Sequence, residues 1–229
     1  MSSAMSGSVA GNFPSSSHYC ASELDDMISD SYITIAKFSR AEFKIKGSRF
    51  IASALPVRTR TEAEDFVEKI RREFRDATHN CFAYIVGYPK KETRTGDDGE
   101  PSGTGGQKIL AAIESRGLSN VAVVVTRYFG GTKLGIGGLS RAYRDATLAV
   151  LDAGGVAEQH LMERLLLTFP YERVGTVMHL VEQWHALIEE AAYAEDVTLT
   201  ISIRKSAADA FYHSIIDATA GNISVRLMP

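Results

Sequence analysis

Cysteine is scarce: Cys20 and Cys81 are the two in 229 residues. Their spacing matches no zinc or redox motif. Two reduced thiols suit a cytosolic protein better than a disulfide-stapled one. Long apolar runs are also missing; none approaches the roughly 18 residues that suggest a membrane span. Residues 1–31 hold no lysine or arginine, while Glu23, Asp25, Asp26 and Asp30 give them a charge of −4. A secretory signal needs a positive start and an apolar core, and this stretch has neither. It is rich in Ser, Gly, Asn and Ala without hydrophobic periodicity, and is expected to be a disordered tail. A phosphate-binding GK[ST] loop, a dinucleotide GxGxxG fingerprint and a calcium-loop spacing are absent as well. A cytoplasmic location, no cofactor and no membrane partner are therefore expected.

What is present is ordinary in bulk and uneven in charge. Hydrophobic residues make up 45% and charged residues 23% of the chain, as in a globular protein. Residues 32–157 carry 20 Lys and Arg against 14 Asp and Glu, a charge of +6. Residues 158–229 carry 5 against 10, a charge of −5. A basic middle between acidic ends suits a polyanionic partner met by the middle, although a mixed solvated surface gives the same numbers.

The middle is organised around Asn120–Arg144, NVAVVVTRYFGGTKLGIGGLSRAYR. Val121–Val125 is an apolar, β-branched run, the pattern of a buried strand. Leu139, Ala142, Tyr143, Ala146 and Val150 recur at helical spacing. Between them lie Gly130, Gly131, Gly135, Gly137 and Gly138. Glycine permits positive φ and close backbone approach, and Gly135 and Gly137 are expected at positive φ. A helix N-terminus favours an anion. With Arg127 before the loop, Lys133 within it, and Arg141 and Arg144 after it, the segment is a candidate phosphate or nucleic-acid site; for Arg127, at a strand end, the alternative is an ion pair with Asp97, Asp98 or Glu100. A tight turn with glycines for packing alone is the competing reading. Tyr128 and Phe129 offer stacking faces or core packing.

Around this segment the pattern alternates strands and helices. Tyr32–Ala36, Ala41–Lys46 and Phe50–Val57 read as strands, with a bulge at Gly47. Thr61–Glu64 has the capping-box spacing, and Phe66, Val67, Ile70 and Phe74 line one helical face. Asp65–Lys69 and Glu68–Arg72 stand at i,i+4. Asn80–Gly87, apolar on both faces, is expected in the middle of a sheet, with His79 at its start. Tyr88–Gly106 reads as a long polar loop containing DDGEPSGTGG. Asp97, Asp98 and Glu100 suit either a magnesium ion or turn chemistry, and Thr104 is placed to cap the next helix. Gly154-Gly155 marks a boundary. Beyond it come a strand (161–169), a helix (170–187), two strands (188–194 and 197–204), a helix capped at Ser206–Asp209 and closed by Gly221, and a last strand (222–227). That is a βαββαβ order. The chain thus divides into a tail (1–31), an N-terminal domain (32–157) and a C-terminal domain (158–229).

TRYFGGTKLGIGGL, with DDGEPSGTGG upstream, resembles the IMPACT family in its bacterial two-domain branch, known as YigZ. The resemblance covers roughly Tyr32 to the C-terminus. Two positions depart from the family pattern: Gly105 stands for an alanine and Lys108 for a proline. The resemblance implies an α+β protein. Its N-terminal part would be a two-layer domain like the second domain of ribosomal protein S5, and its C-terminal part a ferredoxin-like domain like one in an elongation factor. It implies a non-enzymatic, translation-linked regulator whose partner is RNA, the ribosome or a translation factor. A nucleotide binder or phosphotransferase using the glycine loop and magnesium is the alternative class, and a protein-interaction module a third. Oligomeric state is open.

Overall fold

The computed structural model describes residues 30–228. The tail expected to be disordered lies outside them except for its last two residues. The chain divides into two compact units between Gln159 and His160, with Asp30 belonging to the second.

The first unit runs β1 (Ser31–Ile35), β2 (Ser39–Ile45), β3 (Ser48–Pro56), α1 (Arg60–Glu73), β4 (His79–Val86), β5 (Glu92–Gly96), α2 (Gly106–Ser115), β6 (Val121–Tyr128), α3 (Gly135–Gly154) and β7 (Val156–His160). Five strands form an antiparallel sheet in the order β2-β3-β6-β4-β5, and β1 pairs with β7 separately. β6 is therefore the middle strand. Its two faces are both covered, which is why it reads as an unbroken apolar run. Val121, Val123 and Val125 pack with Ile109 and Ile113 of α2 and Leu139, Ala142 and Tyr143 of α3. Ala122 and Val124 pack with Phe66, Val67 and Ile70 of α1. Burying each of the valine, leucine, isoleucine and phenylalanine side chains among them contributes about 1.5–3 kcal/mol. The unit thus has three layers where two were expected: β4 and β6 are apolar on both sides, so each side of the sheet needs a helix.

Local differences from the sequence reading have local causes. The bulge expected at Gly47 is a two-residue hairpin turn between β2 and β3, with φ of 46° at Lys46 and 81° at Gly47. The α1 cap lies two residues earlier than expected. Glu62 N donates to Thr59 Oγ1 at 3.1 Å, and Arg58 N donates to Glu62 Oε2 at 2.7 Å. Of the expected helix pairs, Glu68 takes Arg71 at 2.7 Å instead of Arg72, and Asp65–Lys69 is not an ion pair. The 88–106 stretch is not all loop, because Glu92–Gly96 adds β5 at the sheet's edge. Its polar ETRTG sequence has no buried face, so no alternation marks it.

The second unit runs β8 (Met162–Phe169), a 3-10 turn (Tyr171–Arg173), α4 (Val174–Gln183), β9 (Leu187–Tyr193), β10 (Val197–Arg204), α5 (Lys205–Ala218) and β11 (Ser224–Met228). The βαββαβ order is as read. The antiparallel sheet is ordered β11-β8-β10-β9. Leu165, Leu167, Leu199 and Ile201 pack against Val177, Val181, Phe211 and Ile215. α4 is shorter than expected. It stops where His185 takes φ 52°, so that His185 N donates to the Glu182 carbonyl and Ala186 N to the Val181 carbonyl. Ser206 does not cap α5: its hydroxyl donates to the Asp30 carboxylate instead. That bond is the first cause holding the Asp30 carboxyl below its usual range.

α5 closes in the same way, with Ala220, not Gly221, as the first left-handed residue at φ 52°. A Cβ is strained there and glycine is not. Ala220→Gly should therefore raise stability by about 0.5–1 kcal/mol. Urea unfolding of the two proteins checks this; a lower midpoint for the variant contradicts it.

Candidate functional site

β6 ends beside the glycine segment, and Arg127 is the last buried residue on it. The structure turns this expected phosphate ligand inward. Arg127 is 4% exposed. Its Nη1 donates to Glu100 Oε1 at 2.6 Å and its Nη2 to Ser48 Oγ at 3.4 Å. Its Nε has no hydrogen-bond partner among the described residues. The Tyr143 hydroxyl, from the third turn of α3, donates to the same Glu100 oxygen at 2.9 Å. His79 Nε2 lies 3.8 Å from that oxygen, while His79 Nδ1 is 2.8 Å from the Asp98 carbonyl. Burial, then neighbouring Cys81 and Glu100, push the Tyr143 phenol upward, so it stays a donor. The positive charge of Arg127 is thus committed to a carboxylate inside the unit, because a guanidinium out of water needs a counter-charge.

The acidic loop is equally engaged. Asp97 accepts the N–H groups of Gly103, Gly105 and Gly106 at 2.8, 3.0 and 2.8 Å. It therefore caps α2 from a distance, the role expected of Thr104. Thr104 instead donates to the Pro101 carbonyl at 2.6 Å. Asp98 accepts the N–H of Asn80 at 2.6 Å, tying the loop to β4. Among the described residues no cluster of three or more His, Cys, Asp or Glu is arranged to hold a metal ion. Gly105, one of the two departures from the family pattern, is fitted to Cys81: a Cβ there would lie 2.5 Å from the Cys81 sulfur. Burial pushes the Cys81 thiol up to about 12, and its Sγ donates to the Asp97 carbonyl at 3.0 Å.

What faces outward is the glycine segment itself. Gly131, Thr132, Lys133, Gly135, Ile136 and Gly137 are exposed. The glycines divide by role. Gly130 crosses the β2–β3 hairpin so closely that a Cβ on it would lie 1.9 Å from the Gly47 carbonyl carbon. Gly131 and Gly135 take φ of 83° and 73°. Gly137 and Gly138 belong to the first turn of α3, so the positive φ expected at Gly137 is absent. No side chain caps α3, and no acidic residue stands in its first turn. Lys133 and Arg141 are exposed, and neither forms an ion pair among the described residues. Arg144 is tied to Asp145 at 2.9 Å. Tyr128 is pinned, its hydroxyl donating to Asp76 at 2.8 Å under the Arg49 guanidinium. Phe129 is 47% exposed, with the Arg127 guanidinium 5.5 Å from its ring centre.

The crossing at Gly130 brings in residues that the sequence reading did not assign to the site. Ser48 Oγ accepts the Gly130 N–H at 3.2 Å, so the hairpin turn bearing Lys46 lies against the glycine segment. Lys44 and Lys46 are exposed and form no ion pair among the described residues. The hint in the sequence was Lys46-Gly47 itself, a positive-φ turn pair between alternating strands.

A two-unit α/β protein with this inward-paired arginine and outward glycine segment can be placed by comparison. Residues 46–151 match the Impact N-terminal domain, and residues 167–222 match a domain of unknown function, DUF1949. The chain is 36% identical over 196 residues to the IMPACT family member YvyE of Bacillus subtilis, covering 86% of this chain and 90% of that one. It is 30% identical to the IMPACT family member YigZ of Escherichia coli, over 80% and 90% of the two chains. A solved crystal structure described as that of a hypothetical protein superposes with a TM-score of 0.67 at 28% identity, over 87% of this chain and 98% of the other. The chain belongs to the IMPACT family.

Removing either partner of the buried pair leaves a charge unsolvated, so Arg127→Ala and Glu100→Ala should each lower stability by about 3–5 kcal/mol. Urea unfolding checks this, and a loss below about 1 kcal/mol would mean that the pair is solvated as on a surface. The thiol provides a second test. In the folded protein Cys81 should resist alkylation at pH 8 and react once urea unfolds it, as read by peptide mass spectrometry. The folded value lies above the ordinary 9.0, so Cys81 also lowers stability as pH rises from 9.0 toward 12. Rapid alkylation of the native protein contradicts the burial.

Proposed function

We propose that this IMPACT family member is a non-enzymatic, translation-linked regulator that binds RNA through the glycine segment of its first unit. The observation that carries the reading is the crossing of Gly47 and Gly130, which joins two cation-bearing turns into one outward surface. Lys46, Lys133 and Arg141 supply charge that nothing within the described chain neutralises. The N-terminus of the 20-residue α3 adds unpaired N–H groups and a partial positive charge. Phe129 adds an exposed ring on which a base stacks. A phosphotransferase would need Asp97, Asp98 or Glu100 free for magnesium, and all three are held by N–H groups or Arg127. That favours the binding reading over the enzymatic one. We read the first unit as like the second domain of ribosomal protein S5, with α1 as a third layer on the other face of the sheet. We read the second as ferredoxin-like, a reading supported by its strand order. A cytoplasmic location and a ribosomal setting go with these folds.

The test is a salt titration of affinity for a single-stranded RNA. Each phosphate contact adds about 0.7 to the slope of log affinity against log salt. Lys133→Ala and Lys46→Ala should each flatten the slope by about that much without altering stability. Arg127→Ala should lower stability and leave the slope unchanged in whatever folded fraction remains. Gly135→Val, at positive φ beside the same surface, should weaken binding more than Lys133→Ala. Slopes identical to wild type in both lysine variants contradict the proposal. Magnesium-dependent nucleotide binding without RNA binding would establish the alternative class.

A further inference from the structure

A cavity of about 440 Å³ opens in the first unit, between the β1–β7 ribbon, the end of β3 and the start of α1. Its size falls in the range of small-molecule sites, about 300–1,000 Å³. Ile35 and Val57 give it an apolar floor, and Thr34, Arg58, Glu62 and Asn120 a polar wall. None of these takes part in the glycine-segment surface.

Asn120 is the unusual member. It is 7% exposed and sits at φ 55°. Its backbone carbonyl accepts Val57 N at 2.9 Å and Thr34 Oγ1 at 3.0 Å. Its side-chain Oδ1 accepts Gly87 N at 2.7 Å. Those bonds fix the amide's orientation and leave Nδ2 with no acceptor among the described residues. Nδ2 is not among the buried polar atoms that lack a partner, so it is open to solvent. A ligand oxygen that enters the cavity takes the place of that solvent. On the same wall the Arg58 guanidinium has no ion pair. Glu62 uses Oε2 to accept the Arg58 N–H and keeps Oε1 open. The cavity therefore offers two donors to an anion and one carboxylate to a cation.

We propose that this cavity binds a small zwitterion of the α-amino acid class, its carboxylate on Asn120 Nδ2 and Arg58 and its ammonium on Glu62. A wall that carries both a guanidinium and a carboxylate suits a carboxylate and an ammonium on one small molecule better than a phosphate, which Glu62 would repel. The site is separate from the RNA surface, so either can fail without the other.

The experiment is titration calorimetry of the full chain with each of the twenty free amino acids at millimolar concentration. The best binder is then repeated as its N-acetyl and its carboxamide derivatives. Asn120→Asp is the central variant. It tolerates the same φ and keeps an oxygen for Gly87 N, but replaces the free donor with a charge that repels a carboxylate. Saturable binding of at least one amino acid is expected. Asn120→Asp, Arg58→Ala and each derivatisation should weaken it by about tenfold or more. Lys133→Ala should bind it as wild type does. If Asn120→Asp does not fold, Arg58→Ala on the exposed rim decides. No binding by any amino acid, binding unaffected by Arg58→Ala, or equal binding of the N-acetyl derivative overturns the proposal.

Discussion

The first unit depends on one ion pair that is out of water. Arg127 and Glu100, with side chains 5% and 2% exposed, meet at 2.6 Å. Desolvating two charges costs several kcal/mol each, and their attraction offsets this only when other polar groups complete the shell. Here Tyr143 adds a donor to the carboxylate and Ser48 an acceptor to the guanidinium, whose Nε is left without a partner among the described residues, so β3, β6, α3 and the 97–106 segment converge on a single point. A shift in any of these elements would strand a charge. The network therefore fixes where β6 ends and how the chain enters α3.

The outward surface follows from that anchor. Two residues after Arg127 the chain leaves the sheet, and at Gly130 it passes directly over the β2–β3 turn. The contact spans 82 residues of sequence and rests on Ser48, whose hydroxyl touches both Gly130 N and Arg127. One hydroxyl thus links the buried charge to the exposed loop. Cations from two distant turns are held against one backbone crossing, and no side chain larger than hydrogen fits at Gly130. The surface is rigid because its support is buried, not because its own residues are tied down.

Most of the architecture was legible from the chain because its signals are local. The β-branched run of β6, the helical spacing after Leu139 and the βαββαβ pattern each state a period, and a period fixes an element. The third layer was missed although both faces of β4 were seen to be apolar. Periodicity shows that a face is buried but not which helix covers it. β5 was missed because an exposed edge strand of Thr and Arg has no alternation. The site was legible in part. Gly135 takes the positive φ expected of it and Gly137 does not, and Lys133 is exposed in its loop. Arg127 takes the other course open to a strand-end arginine, pairing with Glu100 of the acidic loop 27 residues away instead of meeting phosphate. Asp97, read as a metal candidate, took the capping role given to Thr104, because an acceptor reached from nine residues away lies outside the one-to-three spacing of local caps. Lys46 is not legible as a site residue for the same reason: only the crossing at Gly130 makes it a neighbour.

The proposed RNA surface joins two segments at the Gly130 crossing, held by the buried pair. Hydrogen–deuterium exchange of the full chain, with and without a saturating single-stranded RNA, tests it most directly. The account predicts slowed exchange in two places together, the hairpin 44–49 and the segment 128–138, with β9 to β11 unchanged. Protection of only one of the two segments, or protection centred on the second unit, would contradict it.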